Sequence, residues 1–247
     1  MAAGKFTDDA FLGGRINLLQ PQSGFRSGLD AVMLAAAVPA KPRQTICDLG
    51  AGVGAAGLCL ATRIADLQVT AIEIEPQLVE LSRENHSRNN IAGAFEAIQA
   101  DILARPRSVP RQYFHHVLTN PPFYDSARGT VAPQQPKALA KAVNAEDLMT
   151  WLQFARSIVR PKGTVTAILP PAQMPLALSS MSRDGLGAII IPLWPKQGDA
   201  AKRVIIHVRT DSRAPLQLQG GIVLHEADGR PTLRAEEILR GGGALTT

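Results

Sequence analysis

The sequence predicts an α/β fold, an open, mainly parallel sheet with helices on both faces, and three observations carry that expectation. Short apolar runs alternate with helix-patterned stretches from Thr45 onward, and such alternation is solved by a parallel sheet covered on both sides. A glycine-rich turn, Gly50-Ala51-Gly52-Val53-Gly54, joins the first apolar run to a helix of small residues. Asp48, Glu73, Asp101 and Asn120 close four successive predicted strands, and open sheets bind ligands beyond the carboxyl ends of their strands.

The stretch up to about Pro42 lies outside this rhythm. Leu12-Gly13-Gly14-Arg15 and Gln20-Pro21-Gln22-Ser23-Gly24 place turn residues around short extended runs and predict a small hairpin. Asp30 then precedes an alanine-rich apolar run and is expected to cap a buried helix ending near Pro39. Strand one is expected at Thr45–Leu49, followed by a helix at 55–64. Strand two is expected at 69–74, before a helix of about 76–89 with Pro76 in its first turn. Strand three covers 95–100 and strand four Val117–Thr119. Leu148, Trp151, Leu152 and Ala155 recur at helical spacing and place a helix over 145–159. Strand five is expected at 164–169, helix-like sequence at 172–183, and strands six and seven at 188–193 and 203–208. With no obvious helix between them, the last two predict an antiparallel pair at the sheet edge. The tail carries Ile222–His225 and an Asp228-Gly229 turn, a late hairpin. The expectation is one domain, with an annex over 1–43, an α/β core over 44–210 and a hairpin and tail over 211–247.

The 247 residues, 45% of them hydrophobic, suffice for one substantial core. No signal peptide is recognisable, and the apolar run near Ala31–Val38 is far short of the ~20 residues that span a bilayer, so a soluble, cytoplasmic protein is expected. Cys47 and Cys59 fall inside a strand and a helix and are expected to be buried apolar residues. The formal charge of +5 points toward an acidic partner, with RNA the obvious candidate. From Ser126 to Ala145 there is no acidic residue, while Arg128, Lys137 and Lys141 come directly after Asn120-Pro121-Pro122-Phe123. A loop of that composition is suited to gripping phosphates.

Gly52-Val53-Gly54-Ala55-Ala56-Gly57 is a literal G-x-G-x-x-G with an acidic residue, Glu73, after the next strand, and so fits a dinucleotide as well. Two features favour S-adenosylmethionine (SAM). Asp48 stands two residues before the first glycine, where it would meet an ammonium group and repel a pyrophosphate. The other is Asn120-Pro121-Pro122-Phe123. Two prolines remove two N–H donors and stiffen the chain, leaving carbonyls free to accept. If the Asn120 amide oxygen and the Pro121 carbonyl each accept one N–H of a planar amine, its nitrogen is drawn toward tetrahedral geometry and its lone pair is freed for attack. Phe123 would stack on the base, a contact worth roughly 1 to 3 kcal/mol. Glu73 would accept from two ribose hydroxyls, or stay a solvated strand-end charge. Asp101 would take an adenine amine with Ile102 near the ring, or act as a helix cap. No metal is required.

Asp48-Leu49-Gly50-Ala51-Gly52-Val53-Gly54 together with Asn120-Pro121-Pro122-Phe123 resembles the class I SAM-dependent methyltransferases that modify planar amino groups. Within them, the block from Gln20 through Gly24, Arg26, Gly28, Leu29 and Asp30 to Ala35 is similar to the tRNA1(Val) adenine-37 N6-methyltransferase family, and Lys202-Arg203 and Leu224–Gly229 also fit. The resemblance covers nearly the whole chain. It implies a Rossmann-like, seven-stranded class I methyltransferase sheet with an antiparallel edge strand, and transfer of a methyl group to N6 of an adenine beside a tRNA anticodon. It carries Asp48, Gly50, Ala51, Gly52 and Gly54 over to the cofactor loop, Glu73 and Ile74 to the ribose, Asp101 and Ile102 to the adenine end, and Asn120 to Phe123 to the target base. Arg26 to Asp30 would close over the methionine end, with Arg26, Tyr124, Arg128, Lys137 and Lys141 on the RNA side. Phe123, where many adenine enzymes carry Tyr, also fits guanine-N2 rRNA methyltransferases. The remaining rivals are a protein glutamine N5-methyltransferase, an NAD-dependent oxidoreductase lacking an evident catalytic acid, and a non-enzymatic RNA-binding module.

Overall fold

A computed structural model describes residues 6–24, 26–122 and 144–245. Strands β1 (Phe6–Phe11) and β2 (Ile16–Pro21) form the N-terminal hairpin, turned at Leu12–Arg15, as the glycine-rich punctuation predicts. Its alternating pattern sends Ile16 and Leu18 inward. The hairpin is tied to the body by amides: Asn85 Oδ1 accepts from the Leu19 N–H (2.7 Å), and Asn89 Oδ1 from the Asn17 N–H (2.8 Å).

The body alternates as expected: α1 (Leu29–Ala36), β3 (Thr45–Leu49), α2 (Ala55–Arg63), β4 (Leu67–Glu73), α3 (Pro76–Arg88), β5 (Gly93–Gln99), β6 (Phe114–Thr119), α4 (Ala145–Ile158), β7 (Val159–Leu169), α5 (Met174–Met181), β8 (Ala188–Trp194) and β9 (Arg203–Arg209). Two-residue strands β10 (Gln217–Leu218) and β11 (Ile222–Val223) and a helix α6 (Leu233–Leu239) complete the order. The sheet order is β10-β8-β9-β7-β6-β3-β4-β5, with β11 also on β8. Only β9 is antiparallel to its neighbours.

Three expectations need correction. The antiparallel strand does not form the edge: β8 bonds outside β9, and β10 and β11 extend β8 to a nine-stranded sheet. Asp30 is not the N-cap of α1. Gly28 holds that position without a side-chain bond, and Asp30 lies in the first turn, paired with Arg203 (2.9 Å). In the tail, β11 joins the large sheet instead of a hairpin of its own; only a single His225–Pro231 bridge closes around the Asp228-Gly229 turn, before the unanticipated α6.

Two apolar layers flank the sheet. One gathers α1, α2, α6 and the hairpin around Met33, Leu34, Leu58 and Leu60; the other gathers α4 and α5 around Phe114, Leu152, Phe154 and Ile158. Cys47 and Cys59 are buried free thiols, and burial pushes Cys59 up to about 12. His116 contacts Thr164 Oγ1 (2.7 Å) and Gln44 Oε1 (2.9 Å), and burial lowers it to about 4, so it is neutral at physiological pH.

Candidate active site

The glycine turn sits where β3 hands over to α2. Gly50, Gly52 and Gly54 have φ of 74°, 57° and 82°, left-handed values that other residues adopt only at a cost. At Gly50 a side chain is excluded twice over, because a Cβ would lie 2.5 Å from the Trp151 ring. At Gly52 a Cβ would meet no described residue within 4 Å. Four of the loop's N–H groups are bonded within the protein. Gly50 and Ala51 donate to the Ile72 carbonyl (2.9 and 3.0 Å), Gly52 to Glu73 Oε2 (2.8 Å) and Gly54 to the Ala51 carbonyl (2.9 Å). A pyrophosphate is held by free backbone N–H groups, and this loop has spent those four. The geometry therefore disfavours a dinucleotide and suits a ligand held by shape.

The carboxylates are also more committed than the strand-tip pattern implies. Asp48 is the penultimate residue of β3 and is buried; its Oδ2 accepts from the Gly57 N–H in the first turn of α2 (2.7 Å). Burial raises its pKa to about 7, against the opposing pull of that N–H and helped by the nearby Glu73 charge. Glu73 Oε1 accepts from Ile74 N–H (2.8 Å) and Glu75 N–H (3.0 Å), while Oε2 accepts from Gly52. It braces the glycine loop, so the free bidentate carboxylate expected for a ribose is partly engaged already; each oxygen has room for two acceptor bonds, which leaves capacity on Oε2. Ile74 beside it is exposed. Asp101 Oδ1 accepts from the Leu103 N–H (2.9 Å), a local turn-capping bond. Ile102 is buried in the α4–α5 layer with Val109 and Leu148.

The tip of β6 differs. Thr119 Oγ1 donates to the Leu49 carbonyl (2.7 Å) and accepts from Trp151 Nε1 (2.9 Å). One indole thus presses on Gly50 and is bonded through Thr119 to the last carbonyl of β3, so α4 fixes the β3 and β6 tips against each other. The next residue is Asn120. Its Oδ1 is buried and has no hydrogen-bond partner among the described residues, which for a buried acceptor costs about 1–3 kcal/mol. Pro121 is buried and Pro122 half-buried beside it. Phe123, Tyr124, Arg128, Lys137 and Lys141 lie outside the described residues.

In the N-terminal block the charged side chains are paired. Arg26 pairs with Asp9 (2.5 Å) and Asp30 with Arg203. Arg26, Gly28 and Leu29 line a cleft of about 670 Å³ shared with Gly13 of the hairpin turn and Arg240 at the end of α6; Gly50, Gly52, Glu73 and Asn120 do not line it. Sequence reasoning did not single out Thr119, Trp151 as a brace, or Gln173; Thr119's place beside Asn120 was the one available signal. Among the described residues no cluster of three metal-ligating side chains occurs, and no helix is long and apolar enough to cross a membrane.

Counting only the strands from β3 to β9 as one to seven, the sheet runs 3-2-1-4-5-7-6 with the seventh reversed. With a glycine turn after strand one, this defines the class I methyltransferase fold, and a structure from Agrobacterium tumefaciens described as a predicted O-methyltransferase shares it at TM-score 0.72 and 24% identity, over 88% of this chain and 99% of that one. A Thermus thermophilus 16S rRNA N2 G1207 methyltransferase, solved with AdoMet and guanosine, aligns at TM-score 0.56 and 18% identity, over 83% of this chain and 50% of that one. More specifically, residues 27–145 match the family model described as the methyltransferase small domain. Curated relatives called tRNA1(Val) (adenine(37)-N6)-methyltransferase are similar to the chain. The one from Actinobacillus pleuropneumoniae is 28% identical over 82% of this chain and 84% of its own, and the one from Vibrio parahaemolyticus 24% identical over 93% of both. One from Vibrio campbellii is 28% identical over 60% of each chain.

Proposed function

We propose that this chain transfers a methyl group from SAM to the N6 amine of an adenine in tRNA, next to the anticodon. The observation that carries the reading is the buried Oδ1 of Asn120 at the carboxyl tip of β6, which has no partner among the described residues. A buried acceptor without a donor is rare, and at a strand-tip rim its natural occupant is a ligand N–H.

The residues present fit the cofactor. No described residue would lie within 4 Å of a Cβ at Gly52, the N–H groups of Gly50, Ala51, Gly52 and Gly54 are satisfied without a phosphate, and Glu73 and Asp101 add negative charge along the rim for a cationic nucleoside. Gly50 to Gly54, Glu73 with Ile74, and Asp101 are the groups proposed to hold it. SAM supplies a methyl group made electrophilic by its sulfonium. Asn120 Oδ1 and the Pro121 carbonyl accept the two N–H bonds of the amine, which localises the nitrogen lone pair and fixes its direction. The Trp151–Thr119–Leu49 contacts keep those acceptors in register with the glycine loop. Phe123 stacks on the base, and Arg128, Lys137 and Lys141 grip the RNA backbone, in the cytoplasm where tRNA is modified. The domain is taken as a single methyltransferase unit over 1–247.

The test is methylation of bulk tRNA with labelled SAM and then mass spectrometry of the nucleosides. N6-methyladenosine is the expected product. N2-methylguanosine would instead support a guanine enzyme, and SAM binding without transfer to any RNA would reduce the chain to a binding module.

A further inference from the structure

Among the described residues, three buried side-chain polar atoms have no hydrogen-bond partner: Asn120 Oδ1, Gln173 Oε1 and Arg63 Nε. The arginine is otherwise engaged, donating through Nη2 to the Ala35 (3.0 Å) and Val38 (2.5 Å) carbonyls. The other two are primary amides, and both stand beyond the carboxyl ends of adjacent parallel strands. Strands β6 and β7 pair through Thr119 and Ala167. Asn120 comes directly after Thr119, and Gln173 ends the short 3-10 turn Pro171–Gln173 just past β7.

The other inward-placed amides of the described residues are engaged. Gln20 donates to Asp9 (2.8 Å) and to the Ser27 carbonyl (3.2 Å) and accepts from the Ser27 N–H (2.8 Å). Asn85 uses both ends of its amide on Leu19 and on the Val53 carbonyl. Gln44 accepts from the Lys41 N–H and meets His116. Two unspent amides at neighbouring tips of one rim are therefore a local property of the site. A primary amide is also the side chain that matches the edge of a nucleobase, where hydrogen-bonding groups alternate in a plane.

We infer that Gln173 is a second substrate-contacting amide, its Oε1 accepting an N–H of the planar, amine-bearing heteroaromatic ring that Asn120 engages. This rests on the proposed function and adds to it a specificity-determining residue from β7. Two acceptors at adjacent tips hold the ring's plane as well as its reacting nitrogen. A ring lacking N–H groups on that edge leaves both oxygens orphaned again and is rejected.

The test compares wild type, Gln173→Met and Gln173→Glu with labelled SAM and bulk tRNA, alongside SAM calorimetry and thermal melts. In Gln173→Met, SAM affinity stays within about twofold and kcat/KM for tRNA falls ~10- to 100-fold, while the melting temperature holds or rises because an orphaned acceptor has gone. Gln173→Glu keeps an acceptor oxygen and recovers part of the loss. Transfer by Gln173→Met within about twofold of wild type overturns the role of Gln173 while leaving that of Asn120 intact. So does a fall in melting temperature that tracks the activity and is not rescued by Glu, since that marks a packing role. Wild-type protein that moves no methyl group to RNA overturns the reading of the site, and this inference with it.

Discussion

The rim of the sheet has two halves built on opposite terms. On the β3–β4 side the loop is saturated: Gly50, Ala51, Gly52 and Gly54 have spent their N–H groups, Glu73 accepts from Gly52, Ile74 and Glu75, and Asp48 is locked to Gly57. On the β6–β7 side two amide oxygens are held in place with nothing to accept from among the described residues. A saturated cradle offers shape and charge with little reorganisation, which suits a cofactor that must be bound and released. Unspent acceptors offer interactions that appear only when a substrate arrives, which is where binding energy does most for rate. The Trp151–Thr119 link joins the halves.

The largest effect tests the unspent side. Asn120→Ala should leave SAM affinity nearly unchanged, read by calorimetry, and raise the transfer barrier by ~2–4 kcal/mol. A large loss of SAM binding would move Asn120 to the cradle. On the saturated side, Asp48→Asn should stabilise the protein. The folded-state pKa of about 7 lies above the ordinary 3.8, so the native chain binds more protons between those values and loses stability as pH rises through that window. Asparagine can still accept from Gly57, and removing the buried charge should gain ~3 kcal/mol above pH 7, fading as pH falls toward 4. Denaturant melts at pH 5 and pH 8 check this; an equal gain at both would mean the carboxylate is not the source.

Gly50→Ala meets both the left-handed φ and the Trp151 ring, and should cost ~3 kcal/mol of stability together with SAM affinity. A tolerant Gly50 would show that the indole is not seated there. Trp151→Phe keeps an aromatic ring against Gly50 but removes the bond to Thr119, for a smaller loss of about 1 kcal/mol; both halves should feel it, as a modest weakening of SAM binding and a slower transfer step. Replacing Arg128, Lys137 and Lys141 together by Ala should flatten the salt dependence of RNA binding by about two to three in log–log slope. An unchanged slope would put the RNA face elsewhere.

How much of this was legible depends on range and size. Strands β3, β4, β6 and β7 announce themselves because buried parallel strands are nearly continuous apolar runs, and Asn120 stands out because two prolines after it are hard to place in a ladder. Strands β10 and β11 have two residues each and α6 only seven, too short for any period to develop. The pairing of Asp30 with Arg203 spans 173 residues, so a carboxylate at a helix start looked like a cap. Asp48 and Glu73 were found, but their engagement with Gly57 and Gly52 is set by how β3, β4 and α2 pack, which no spacing encodes. Gln173 carries no motif at all; what marks it is the buried acceptor that the fold leaves without a partner among the described residues past the β7 tip.

The most direct test is the single-turnover rate of methyl transfer to tRNA at saturating SAM, for wild type and Asn120→Ala side by side. The unspent acceptor at the β6 tip predicts N6-methyladenosine from the wild type and a rate lower by about two to three orders of magnitude in the variant at full cofactor occupancy. Equal rates at equal occupancy would contradict it.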